Sequence, residues 1–154
     1  MTKRSFRFFA VAVCAVALSV ATAAAPSVTA VTKPTITVYK DPNCGCCKSW
    51  IEHLRKHGFT VNAKDTPDMN TIKATLGVPG ALTSCHTAVV EGYLIEGHVP
   101  AADIDRLLAS RPKVKGLAVP GMPMGSPGME GGAKQHYQVL TFDRTGKKAV
   151  FASY

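Results

Sequence analysis

Apolar and polar residues alternate along one part of the chain and recur with a helical period along the next part. Residues 35–39 alternate and are rich in β-branched side chains, which predicts a strand. From Cys46 the period changes to that of an amphipathic helix, which Gly58 ends. The apolar side of this helix consists of Cys47, Trp50, Ile51 and Leu54. The chain therefore passes from a strand into a helix within a few residues.

The same two periods predict the remaining elements. These are a strand beginning at residues 59–61, a helix over residues 69–76, a hairpin of residues 87–90 and 93–96, a helix opened by Pro100, and a hairpin of residues 137–142 and 148–153. Residues 116–132 follow neither period, and their Gly, Pro and Met content predicts a long loop. This order predicts one α/β domain, a mixed sheet flanked by helices, with a C-terminal β-hairpin. A cysteine motif at the first strand–helix junction is typical of a thioredoxin-like fold.

The start of the chain has the pattern of a signal peptide. Three basic residues stand within the first seven, an apolar run follows, and residues 21–25 are small. The apolar run is shorter than the roughly 20 residues that cross a bilayer. An uncleaved anchor is the alternative. We predict a signal peptide over residues 1–25, a linker over residues 26–34 and the α/β domain over residues 35–154, with no membrane span after signal removal.

Charge and compartment limit the classes of partner. The formal net charge is +8, three of the positive charges lie in the predicted signal peptide, and the other Lys and Arg residues form no dense stripe. This pattern argues against a nucleic-acid partner. Export would place the cysteines in an oxidising compartment, where disulfides are permitted.

Four cysteines of the predicted domain point to a single site. Cys44, Cys46 and Cys47 stand between the first strand and the first helix. Cys85 leads into the third strand, which in a thioredoxin-like fold packs beside the start of that helix. Because three of the four thiols are crowded together, and neighbouring cysteines bridge only with strain, a framework of stabilising disulfides is disfavoured. We expect the four thiols to meet.

The position of the motif leaves two uses open. A helix N-terminus lowers the pKa of a cysteine, and the thiolate both attacks disulfides and binds metals. A redox pair needs only Cys44 and Cys47, and Cys46 would compete with it. Soft thiolates select Cu(I), zinc or iron–sulfur clusters. Adjacent Cys46 and Cys47 cannot easily chelate one tetrahedral ion but can bind neighbouring ions, which favours a polynuclear Cu(I) site over a single zinc.

Other side chains are candidate auxiliary ligands. Met122 and Met124 offer thioethers to Cu(I), although methionine also packs loops onto cores. His86 follows Cys85, but in an extended chain adjacent side chains point to opposite faces. His53 would lie about 10 Å along the helix from the motif, so we expect a structural role for it. His98 and His136 are not included in the predicted ligand set.

Several motifs resemble those of a known family. They are Tyr39-Lys40-Asp41-Pro42-Asn43-Cys44-Gly45-Cys46-Cys47, Ser84-Cys85-His86-Thr87-Ala88, Glu96-Gly97-His98-Val99-Pro100 and Pro120-Gly121-Met122-Pro123. The chain resembles the metal-binding, thioredoxin-like family that contains the periplasmic copper-resistance protein CopG. The resemblance implies a periplasmic location, copper bound by the four cysteines, and a role in interconverting copper redox states during detoxification.

Together these patterns predict a periplasmic copper-resistance protein that holds more than one Cu(I) ion. The predicted metal ligands are Cys44, Cys46, Cys47, Cys85, His86, Met122 and Met124. The expected partners are copper ions and other periplasmic copper-handling proteins. A thiol–disulfide oxidoreductase using Cys44 and Cys47 is the alternative, and a zinc-binding module is the third. Whether the protein turns over a substrate stays open, with metal binding favoured over catalysis.

Overall fold

The structure is a computed structural model that describes residues 32–154. Its strands are β1 (Ile36–Lys40), β2 (Val61–Asp65), β3 (Thr87–Val90), β4 (Tyr93–Glu96), β5 (Gly116–Ala118), β6 (Gln138–Phe142) and β7 (Lys148–Ser153). Its helices are α1 (Gly45–Lys56), α2 (Met69–Leu76) and α3 (Ala101–Ser110), with a 3-10 turn at Gly80–Leu82. The predicted signal peptide and most of the predicted linker lie outside the described residues.

The strands form one mixed sheet in the order β2-β1-β3-β4-β5-β6-β7. The β1–β2 and β4–β5 pairs are parallel, and the other neighbouring pairs are antiparallel. The predicted fold class, an α/β domain with a mixed sheet and a C-terminal hairpin, is confirmed. The thioredoxin-like label stays a prediction. Within the described range, no helix is long and apolar enough to cross a bilayer.

Helix α1 is held by the apolar side that its period predicted. Cys47, Trp50, Ile51 and Leu54 are all buried. The indole Nε1 of Trp50 donates to the carbonyl of Val99 at 2.9 Å, so its polar atom is satisfied inside the core. This packing fixes the helix against the sheet and places its N-terminus beside the end of β1.

Two segments differ from their prediction. Residues 59 and 60 are not yet part of β2, because the amide of Phe59 donates to the carbonyl of Leu54 and its ring is buried. The predicted loop of residues 116–132 begins with strand β5, which lies between β4 and β6. At its first position only glycine fits, since a Cβ on Gly116 would collide with the carbonyl of Leu94. The connection between β5 and β6, residues 119–137, is called the methionine loop below.

Candidate metal centre

The cysteine motif begins where a tight turn delivers the chain into α1. The amide of Asn43 donates to Oδ1 of Asp41 at 2.7 Å, and the amide of Cys44 donates to the carbonyl of Asp41 at 3.1 Å. Cys44 is the N-cap residue of α1, and its sulfur accepts from the amide of Cys47 at 3.3 Å. The start of the helix therefore orients the motif without help from distant side chains.

The four cysteine sulfurs meet, as the order of the elements indicated. Their Sγ atoms lie within 4.8 Å of one another. Cys44 and Cys47 form a disulfide, while Cys46 and Cys85 are free thiols. Sγ of Cys46 lies 3.4 Å from Sγ of Cys44 and 3.7 Å from Sγ of Cys85. The disulfide closes a four-residue segment, so it does not join distant parts of the fold as a disulfide framework would.

Cys85 is placed by a buried ion pair that the sequence did not predict. Nζ of Lys73 lies 2.5 Å from Oε1 of Glu96, and both side chains are buried. The same Oε1 accepts from the amide of Ser84 at 2.6 Å, and Oε2 accepts from the hydroxyl of Thr87 at 2.6 Å. One carboxylate thus holds the residues on either side of the Cys85–His86 pair.

Two buried histidines face the sulfur of Cys85. Nδ1 of His86 lies 3.2 Å and Nε2 of His98 lies 3.1 Å from Cys85 Sγ. Cys85 and His86 would point to opposite faces only in an extended chain, and that condition is not met, because the chain bends at Cys85 before β3 begins. Nε2 of His86 has no hydrogen-bond partner among the described residues, and its ring lies 4.3 Å from that of Trp50.

His98 was missing from the predicted ligands, although the register of the predicted hairpin would have placed it beside Cys85. In the register of β3 and β4, Thr87 pairs with Glu96. Continuing that pairing two residues outward places Cys85 opposite His98. The amide of Gly97 donates to the carbonyl of His86 at 3.1 Å, which shows that the pairing does continue.

The surroundings set the protonation of this group. Burial and the neighbouring sulfur of Cys46 raise the pKa of the Cys85 thiol to about 12. Burial lowers the pKa of His86 and of His98, which favours the neutral form of both imidazoles. Nδ1 of His98 donates to the carbonyl of Pro127 at 2.8 Å, which leaves the lone pair of Nε2 directed at Cys85. A metal ion bound here would displace the thiol proton.

The comparisons with known proteins decide the family. A family model described as "Protein of unknown function, DUF411" matches residues 82–129, the segment that contains Cys85, His86 and His98. Two solved structures of copper resistance protein CopG, forms 2 and 1, are each 50% identical to the chain. Each alignment covers 79% of this chain and 98% of the CopG chain, with TM-scores of 0.76 and 0.75. The chain belongs to the CopG family.

The predicted family resemblance is thereby confirmed. No functionally curated protein matches the chain. The CopG structures share its α/β fold over nearly their whole length, and their name associates them with copper resistance.

In this CopG-family chain the methionine loop covers the start of α1. A Cβ on Gly128 would lie 2.8 Å from the carbonyl oxygen of Cys46 and 2.8 Å from the amide nitrogen of Trp50, so the loop backbone touches the helix directly. The hydroxyl of Ser84 donates to the carbonyl of Gly121. Together with the His98–Pro127 bond, these contacts attach the loop to both sides of the cysteine group.

The predicted methionine ligands occupy different parts of this loop. The side chain of Met122 is 51% exposed. Met124 exchanges hydrogen bonds with Gln135 and lays its side chain against Gly132. Their role as ligands stays a prediction.

His53 has a structural contact, as expected for a histidine far from the motif. Its Nε2 accepts from the amide of Ala101 at 3.1 Å and thereby caps the N-terminus of α3. Neither His53 nor His57 belongs to a group of metal-capable side chains in the part of the chain that the structure describes.

The side chains form two groups of possible metal ligands, which share the sulfur of Cys85. The first is the four-sulfur group of Cys44, Cys46, Cys47 and Cys85, and the second is the group of Cys85, His86 and His98. Four thiolates are a soft donor set that suits Cu(I). Two of those sulfurs are joined in the disulfide, so all four can bind metal only after two electrons and two protons convert it to thiols.

Proposed function

We propose that this CopG-family protein binds copper ions in its four-sulfur group and so contributes to copper resistance in the periplasm. The observation that carries the proposal is the convergence of four Sγ atoms within 4.8 Å from two segments of the chain. Copper is the cargo of this site. The name of the CopG structures, copper resistance protein, agrees with that cargo.

The donor arrangement supports Cu(I) and more than one ion. Cys46 lies between the other sulfurs, 3.4 Å from Cys44 and 3.7 Å from Cys85, so its thiolate is placed to bridge two ions. Soft thiolates favour the monovalent state of copper. His86, Met122 and Met124 are proposed as auxiliary ligands around this group.

The disulfide adds a redox element to the proposal. Two Cu(I) ions that each give up one electron, together with two protons, convert the Cys44–Cys47 disulfide into two thiols and leave two Cu(II) ions. The reverse reaction reduces Cu(II) and restores the disulfide. A single exchange of this kind needs only the metal and the Cys44–Cys47 pair, whereas repeated turnover in one direction needs an external oxidant or reductant to reset the pair.

Anaerobic titration of the purified, reduced protein with Cu(I), followed by native mass spectrometry, tests the copper proposal. We expect more than one Cu(I) per chain. Cys85→Ser should lower the number of bound ions, because it removes one of four sulfurs, while His136→Ala at an exposed position should not. A reduced protein that binds no Cu(I), or a Cys85→Ser variant with unchanged stoichiometry, would contradict the proposed site.

A thiol–disulfide oxidoreductase is the second candidate, and the Cys44–Cys47 disulfide favours it. This pair has the spacing that such enzymes use. Reduction of insulin disulfides by the metal-free protein is the measurement. The oxidoreductase predicts that Cys44→Ser abolishes the reaction and Cys46→Ser preserves it. The copper proposal predicts little activity in either variant or in the wild type.

The location and domain limits also belong to this proposal. We propose that residues 1–25 are a cleaved signal peptide, residues 26–34 a linker and residues 35–154 the copper-binding domain, with other periplasmic copper-handling proteins as partners. N-terminal sequencing of the protein recovered from a periplasmic extract tests the cleavage. A mature chain that still begins at Met1 would contradict it.

A further inference from the structure

We propose that the end of the sheet opposite the cysteine group is a docking surface for an anionic lipid bilayer. We call the six cations on this surface the basic end: Arg111, Lys113, Lys115, Arg144, Lys147 and Lys148. None of them is a predicted metal ligand, so the proposal goes beyond copper binding.

The fold assembles the basic end from two separate segments of the chain. Residues 111–115 lead from α3 into β5, and residues 143–147 form the turn between β6 and β7. The amide of Lys115 donates to the carbonyl of Phe142 at 2.7 Å, which joins the two segments. The cluster is therefore a product of the β5–β6 pairing, and the sequence alone showed no dense stripe of positive charge.

The positive charge of the basic end is not balanced by its neighbours. Glu91 pairs with Arg111, and Oδ1 of Asp143 accepts from the amides of Thr145 and Lys147 at 2.8 and 3.0 Å. The other five cations form no ion pair with any described residue. Residues 32–154 contain fifteen Lys and Arg and ten Asp and Glu. Without the six cations and these two acids, nine positive charges face eight negative ones, so most of the excess lies at this end.

This surface fits a layer of lipid headgroups better than a folded protein. Specific protein interfaces centre on large apolar or aromatic anchors. Among the described residues the exposed large apolar side chains are Met122, Val150 and Tyr154, and none belongs to the basic end. Attraction to anionic headgroups requires only cations close to the bilayer surface. Lys113 and Arg144 line a cleft of about 330 Å³ that is open to a phosphate headgroup.

Docking through the basic end leaves the cysteine group free. Strand β1 runs from this end towards the cysteine motif, and at about 3.3 Å per residue its five residues span roughly 15 Å. The chain before Ile36 also joins the domain at the basic end, so the predicted signal peptide precedes the domain on the side that faces the bilayer. The four sulfurs then face away from the lipid.

Binding to lipid vesicles is the main test. Protein purified from a periplasmic extract is sedimented with vesicles of phosphatidylcholine and with vesicles of phosphatidylcholine and phosphatidylglycerol in equal parts. We expect binding only to the anionic vesicles, and its loss as salt shortens the Debye length from roughly 30 Å at 0.01 M to roughly 8 Å at 0.15 M. Arg144→Gln/Lys147→Gln/Lys148→Gln should weaken binding about a hundredfold, because each cation near the surface contributes about fivefold.

The matched control removes three cations from other parts of the surface. Lys48→Gln/Lys64→Gln/Lys134→Gln changes the net charge by the same amount, and these lysines are exposed. This control should keep most of the affinity. Equal losses in the two triple variants would show that net charge alone attracts the protein, which would overturn the proposal. If the first variant does not fold, Lys113→Gln/Lys115→Gln tests the other segment, with an expected loss of more than about tenfold.

Two further outcomes would contradict the bilayer as partner. One is a wild type that does not bind anionic vesicles at low salt. The other is binding to soluble poly-glutamate that is stronger than binding to vesicles of the same total negative charge, which would indicate an acidic protein partner instead. The triple variant of residues 144, 147 and 148 should bind as many Cu(I) ions as the wild type. A failure of vesicle binding is therefore distinguishable from a failure of the copper proposal.

Discussion

The two sides of the cysteine group are held in place by different means. On the motif side, one turn of backbone places three sulfurs, and the main tie is the bond from the amide of Cys47 to the sulfur of Cys44. On the Cys85 side, the chain bends in an irregular segment whose position depends on the Lys73–Glu96 ion pair. The first arrangement is local in sequence, and the second joins α2, β3 and β4.

This difference separates the effects expected of mutations. A change within the motif alters the donor atoms but leaves the helix that carries them, because α1 is held by its buried apolar side. A change in the ion pair leaves every donor atom present but removes what positions one of them. A change on the Cys85 side should therefore cost more folding stability than a change within the motif. Three measurements, taken from the largest expected effect to the smallest, test this order.

The largest loss in the free energy of unfolding is expected from Lys73→Met. It leaves the fully buried carboxylate of Glu96 without its cation, and breaking a buried pair in this way costs about 3–5 kcal/mol. Chemical denaturation should show this loss in the free energy of unfolding. Lys73→Met/Glu96→Gln should recover part of it, because the amide oxygen still accepts from Ser84. Lys64→Met at an exposed position is the control, and a loss no larger than that of the control would contradict the role of the pair.

Reduction of the disulfide should have a smaller effect. The cross-link closes only a four-residue segment, and the chain-entropy relation gives about 2 kcal/mol for a loop of that length. Thermal unfolding followed by circular dichroism, with and without a reductant, measures the difference. The Cys44→Ser/Cys47→Ser variant should not respond to the reductant. A reduction effect larger than that of Lys73→Met would reverse the proposed order of the two sides.

The smallest change in stability is expected when pH alters the contact between α1 and α3, in which His53 accepts from the amide of Ala101. Burial, followed by the neighbouring His57, lowers the pKa of His53 below 6.5 in the folded protein. The unfolded chain thus takes up this proton more readily than the folded one. The contribution of His53 to stability is complete above pH 6.5 and declines as the pH falls towards the lowered value.

His53→Gln isolates this contribution, because a glutamine oxygen can accept from Ala101 but does not titrate in this range. The difference in unfolding free energy between wild type and variant should change between pH 7 and pH 5. His86 and His98 are present in both proteins, so their own titration cancels. A difference that is independent of pH would show that the cap does not depend on the charge of His53.

The sequence predicted the locally determined parts of the molecule well. Helix α2 and the β3–β4 hairpin have the expected limits. The apolar period and the turn residues that determine each of them lie within a short stretch of sequence. Strand β5 was missed because three residues, one of them glycine, show no period. Its existence depends on the neighbours β4 and β6.

The site was predictable only where it follows from local pattern or chain order. The meeting of Cys85 with the motif follows from the order of the elements. The ion pair does not, because Lys73 is the buried residue of α2, the reverse of what an amphipathic pattern suggests. His98 could have been found by continuing the hairpin register. Whether Cys44 and Cys47 are thiols or a disulfide depends on the redox state, and no residue pattern encodes that.

The contact of Gly128 with α1 has a consequence for how freely the methionine loop can change. Elsewhere in the loop there is room for side chains: Met122 is half exposed, and a Cβ on Gly131 would meet nothing within 4 Å. At Gly128 the backbone has a φ of 86° and lies against Cys46 and Trp50, so any side chain would be both strained and obstructed. A loop of foreign sequence grafted between β5 and β6 would therefore pack against α1 only if it kept a glycine at this position.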